Sequence, residues 1–115
     1  MNEKFIKNIP HETVHELAGS VEVLPGQIVS KTLAQNGAVS ITLFAFDKGE
    51  EIGTHDSSGD AMVTVLAGEG RFTIDGTAHL VRAGQTLVMP AQRPHAVFAP
   101  EPFKMLLTVV FPVNN

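Results

Sequence analysis

The chain carries five histidines and no cysteine. Thiolate metal sites, a Cys nucleophile and a disulfide framework are therefore closed to it. Imidazole is left as the group that ligates metals and moves protons near neutral pH. His11 and His15 stand i,i+4 in a polar stretch. On a helix that spacing puts both on one face, but no third donor accompanies them, so they read as a solvated face. Met62, Met89 and Met105 add thioethers. Thioethers suit Cu(I), yet methionine in strands usually fills gaps in a core and makes an adaptable apolar wall. Arg82 and Arg93 are candidate partners for an anionic ligand. Arg93 is the better placed, in the loop just before His95. Ser57 has no Gly-x-Ser-x-Gly elbow around it and no base-orienting carboxylate, which argues against a hydrolase nucleophile. Gly68-Glu69-Gly70 is followed by no helix, so it is a turn and not a phosphate cradle.

These residues must be positioned by strands. From Val21 onward, short apolar runs alternate with turn signals every 8–12 residues or so, the pattern of an all-β sandwich or barrel. The runs are Ser20–Leu24, Gln27–Ala34, Ala38–Phe46, Ala61–Ala67, Arg71–Ile74, Thr77–Arg82, Gln85–Met89, His95–Ala99 and Phe103–Phe111. A short helix is expected after Pro10, and a polar small-residue stretch from Gly53 to Asp60. Asn36-Gly37 is a favoured hairpin pair, and Asp75-Gly76 suits a type I′ turn. A two-residue turn there sets Ile74 opposite Thr77 and Phe72 opposite His79. His79 then shares a face with Phe72, Ile74 and Val81 and reads as a packed core histidine with a backbone partner. Ala38–Phe46 and Phe103–Phe111 are apolar on both parities, so both of their faces must be covered.

Two segments resemble the motifs of the cupin superfamily. Gly49-x5-His55-x-Ser57, running on to Gly68-Glu69-Gly70, is similar to the first, Gly-x5-His-x-His-x3,4-Glu-x6-Gly. Gly84-x5-Pro90-x-Gln92-x2-His95 is similar to the second, Gly-x5-Pro-x-Gly-x2-His-x3-Asn. The resemblance implies one RmlC-like jelly-roll β-barrel, a double-stranded β-helix of two packed antiparallel sheets. It spans residues 1–115 as a single domain, with an N-terminal arm over 1–19 and the barrel core over 37–111.

In metal-dependent cupins, two His and a Glu of the first motif and the His of the second bind one metal. Here His55 and His95 match, while Ser57 stands at the second His position and Ala61 at the Glu position. Gln92 replaces the second-motif Gly, and Ala99 its Asn. A catalytic metal usually has three protein ligands. Side-chain alternation gives Glu51 the parity of His55 and Ser57, which makes it one candidate third ligand. Asp60 is the other, if Gly59 permits a bulge that turns it inward. Asp56 has the wrong parity without a bulge.

The reading is a small-molecule-binding barrel with a pocket of His55, Ser57, His95, Met62, Met89, Met105 and Arg93, holding metal weakly if at all. Two alternatives stay open. One is a metal-dependent enzyme, dioxygenase- or isomerase-type, using Fe, Mn, Ni, Cu or Zn. The other is a structural or regulatory dimer without barrel chemistry. At 115 residues, 43% hydrophobic and 17% charged, the chain can build one core. Its net charge of −4, with eight scattered Lys and Arg, argues against a nucleic-acid partner. No apolar run is long enough to span a membrane and no secretory signal is visible, so a cytoplasmic location is expected. The resemblance implies a homodimer, typical of small bacterial cupins, with an apolar sheet-to-sheet contact; a monomer covering that face with its own N-terminal strands is the alternative.

Overall fold

The computed structural model describes residues 4–113. A 3-10 turn, Leu17–Ser20, precedes nine strands. They are β1 (Ile28–Gln35), β2 (Val39–Phe46), β3 (Glu51–His55), β4 (Asp60–Ala67), β5 (Glu69–Ile74), β6 (Thr77–Arg82), β7 (Thr86–Met89), β8 (His95–Phe98) and β9 (Phe103–Val110). A five-stranded sheet of order β1-β2-β9-β4-β7 packs on a four-stranded sheet of order β3-β8-β5-β6. All the strand pairs are antiparallel. The chain crosses from one sheet to the other repeatedly, which is the jelly-roll winding expected from the motifs.

The β5–β6 hairpin has the expected register, with Ile74 opposite Thr77 and Phe72 opposite His79. Asp75 and Gly76 both take positive φ, 48° and 83°, as a type I′ turn demands. The β1–β2 hairpin forms by another device. Asn36 Oδ1 accepts from the backbone N–H groups of Ala38 and Val39, at 2.8 and 3.0 Å, and neither Asn36 nor Gly37 has positive φ. An asparagine side chain mimicking a backbone turn competes well with the I′ geometry.

The inner faces meet in a core built on Phe46, Val63, Val65, Phe72, Phe103 and Met105. Phe103 stacks on Phe46 at 4.7 Å and meets Phe72 edge-on at 6.0 Å. Gly70 lies beneath these rings: a Cβ there would come within 2.7 Å of Phe103, so only glycine lets the sheets close at this end.

A second core lies on the outer face of the five-stranded sheet, where Leu43 and Ala45 are fully buried under Val21 and Leu17. The N-terminal segment reaches this face without being a strand or an α-helix. The strand expected over Ser20–Leu24 does not form: Ser20 ends the 3-10 turn, Val21 is extended, and Val21–Leu24 pairs with no sheet; the helix expected after Pro10 is replaced by that later 3-10 turn. Lys104 Nζ holds that turn by donating to the Ala18 carbonyl at 2.5 Å. The arm's own cover stops short of β7: Met62, Val88 and Val110 are 41, 50 and 59% exposed.

Candidate functional site

The Phe-filled end of the barrel is closed; the other end is open. There the inner faces carry smaller or flexible side chains, Ala61 and Met89 beside Val109 and Leu107. They leave a cavity of about 280 Å³. Its walls are apolar, adding Phe44, Ile52, Val97 and Met105, and its polar groups are His55, Asp56, Ser57 and His95.

The two histidines are brought together by strand pairing. β3 and β8 are antiparallel neighbours, and His55 lies directly opposite His95. Their rings meet edge-on with centroids 4.4 Å apart. His95 is buried, at 4% exposure, while His55 sits at the exposed mouth. Each ring is tied to its own backbone in the same way. Nδ1 of His55 donates to the Gly53 carbonyl at 2.9 Å, and Nδ1 of His95 donates to the Arg93 carbonyl at 3.1 Å. A carbonyl only accepts, so Nδ1 must bear the hydrogen on both rings. In the neutral ring the lone pair is therefore on Nε2, the nitrogen left to the cavity.

Ser57 stands where its parity with His55 put it, in the cavity wall. Its Oγ accepts from the Gly59 N–H at 3.2 Å, and its carbonyl accepts from Gln92 N–H at 2.7 Å. That second bond ties the β3–β4 and β7–β8 loops together beside the mouth. Gln92 holds a φ of +61° there, at the position where the motif has glycine.

Met89 and Met105 line the cavity as expected; Met62 does not. Met62 alternates with the inward Ala61 and Val63 and lies on the outer face. Arg93 is also displaced from its expected role. It turns away to an ion pair with Asp75, at the tip of the β5–β6 hairpin. Arg82 is likewise engaged: Nε donates to Glu69 Oε1 at 2.8 Å, and that bond and charge raise its pKa. His79 pairs across the hairpin with Phe72 and takes no part in the cavity.

Neither expected third ligand reaches the histidines. β3 carries a bulge between Ile52 and His55, so three steps on β3 match two on β8. The extra residue reverses the parity: Ile52 faces the cavity with His55, and Glu51 points outward. Asp60 keeps the outward parity of Met62, because β4 pairs regularly with β9 from Asp60 to Val65. Its Oδ1 accepts from the Ala91 N–H at 2.8 Å. Gly59 makes no bulge and instead permits close packing, since a Cβ would lie 2.3 Å from the Val110 carbonyl. Asp56, set aside on parity, is the carboxylate that does line the cavity. Even so, no cluster of three His, Cys, Asp or Glu suited to a metal ion exists among the described residues. Two imidazoles fall short of the three ligands of a catalytic metal site, so the residues present do not fit a resident metal.

The model of the cupin domain family matches residues 42–111. The chain belongs to the cupin domain family. Among solved structures, this cupin is similar to the conserved SPY1581 protein of unknown function from Streptococcus pyogenes. The two are 48% identical with a TM-score of 0.95, over 97% of this chain and 98% of that one. It is also similar to a cupin superfamily protein from Desulfitobacterium hafniense, at 33% identity and TM-score 0.89, over 93% of this chain and 98% of that one. An RmlC-like cupin from Desulfovibrio desulfuricans is 30% identical with a TM-score of 0.75, over 90% of this chain and all of that one. Among curated proteins, none matches. In this cupin a larger surface hollow, of about 520 Å³, lies between Lys4–Lys7 and the end of β1. It has no histidine or carboxylate in its wall, and the chemistry sits in the barrel mouth. No helix among the described residues is long and apolar enough to cross a membrane.

Proposed function

We propose that this cupin binds a small organic molecule in the barrel, with its polar end at His55 and His95. The observation that carries the reading is the joining of an apolar cavity to two imidazoles whose orientation is set by backbone hydrogen bonds. Pockets for small ligands are largely apolar with a few placed polar groups, and this one has that composition. A volume of about 280 Å³ lies at the small end of ligand pockets, which run roughly 300–1,000 Å³. The ligand is correspondingly small.

A calorimetric screen of fragments of that size tests the proposal. Binding is expected in the native protein and lost in Ala61→Leu, which extends a side chain into the cavity. A library without hits, or hits that survive Ala61→Leu, would remove the ground for the reading. Elemental analysis after dialysis separates the metal-dependent alternative, which requires near-stoichiometric metal lost in both His55→Ala and His95→Ala. The donor set supports a far lower content.

We propose further that the protein works as a homodimer. The strip of Met62, Val88 and Val110 on the outer sheet face, beyond the arm's cover, is the surface that supports this. Light scattering should give twice the chain mass, falling to the single mass in Val88→Asp; a native monomer would overturn it.

A further inference from the structure

The two pinned histidines do more than mark a pocket; they restrict what can enter it. As neutral imidazoles with Nδ1 protonated, His55 and His95 cannot hydrogen-bond each other, because neither Nε2 has a hydrogen to give. Two lone pairs on rings 4.4 Å apart thus share one end of the cavity. Asp56, exposed at the rim, also lines the cavity and adds a negative charge there. The Ser57 hydroxyl accepts from Gly59 and retains one proton to donate. No arginine or lysine lines the cavity, and the nearby Arg93 is turned away to Asp75. The opening is therefore rich in acceptors, carries negative charge and lacks a cation. A group that satisfies it donates more than one hydrogen bond, and a single atom with several hydrogens does so most compactly.

We infer that the ligand class is a small primary amine with an apolar body, its ammonium group bridging the two Nε2 atoms and facing Asp56. This rests on the cavity being the binding site. An ammonium offers three donors on one nitrogen and suits both the paired lone pairs and the carboxylate. A hydroxyl offers one donor. A carboxylate offers none and meets Asp56 as a like charge.

Three probes share one body and differ in the head: phenethylamine, 2-phenylethanol and phenylacetate, titrated calorimetrically at neutral pH. Phenethylamine is expected to bind at least tenfold more tightly than the alcohol, with phenylacetate weakest. His95→Phe, which keeps an aromatic ring, and His55→Ala, at the exposed mouth, should each reduce amine affinity about tenfold and shrink the preference over the alcohol. Circular dichroism confirms that each variant is folded. Nitrogen NMR of the imidazoles should show Nε2 unprotonated on both rings. Phenylacetate binding as tightly as the amine, or an Nε2–H tautomer on either ring, would overturn the inference while leaving the cavity a binding site. Fragments that bind in the general screen alongside failure of phenethylamine would do the same. Absence of any cavity binder would remove both.

Discussion

The two ends of one barrel are built from the same strands and have opposite characters. At one end Phe46, Phe72 and Phe103 interlock over Gly70 and leave no room for a methyl group. At the other, Ala61 and Met89 stand where bulk would close the mouth, and the space remains. Strand alternation aims side chains inward at both ends. What differs is the volume placed at each inward position. Dense packing and open space are thus segregated along the barrel axis, with β4, β8 and β9 running through both regions.

The sharpest way to break the comparison is Phe103→Ala. Removing a fully buried ring should cost about 3–5 kcal/mol, read as a lower denaturant midpoint. A loss under about 1 kcal/mol would mean that the closed end is not the anchor. Gly70→Ala adds one carbon at the same end. It must displace the Phe103 and Phe72 rings, and a loss of about 1–3 kcal/mol is expected. Ala61→Leu adds three carbons at the open end, where they enter existing space. Its expected cost is under about 1 kcal/mol. If the larger insertion proves more destabilising than the smaller one, the two ends do not differ as described.

The sequence shows some of these features plainly. The Asp75-Gly76 hairpin was legible to the residue, because a two-residue turn leaves no freedom in register. The His55–His95 pairing and the inward Met89 and Met105 were legible through the motifs and the period of two. Glu51 does not reach the histidines for one reason: strict alternation across Gly53 and Thr54 gives it the parity of His55, and a one-residue bulge reverses that parity. The bulge expected at Gly59 falls instead between Ile52 and His55, where Gly53 lies, and this is also the region from which Asp56 comes to the cavity wall. Arg93 failed because its partner, Asp75, is eighteen residues away and is brought near only by the β5–β8 pairing. The N-terminal cover was half legible. Apolar positions on both faces of β2 and β9 demanded a lid, but an arm held by a 3-10 turn and a lysine has no periodic pattern to read.

The backbone tethers on the two histidines also bear on how such a site can change. Each ring is oriented by the carbonyl two residues before it, and every amino acid supplies a carbonyl. Mutation of the neighbouring side chains therefore leaves the tautomers intact so long as the strands pair. Walls can be exchanged to reshape the cavity without disturbing the orientation of the two imidazoles. The open end is for that reason a natural starting point for redesign, with its recognition chemistry inherited from the main chain and its shape left to substitution.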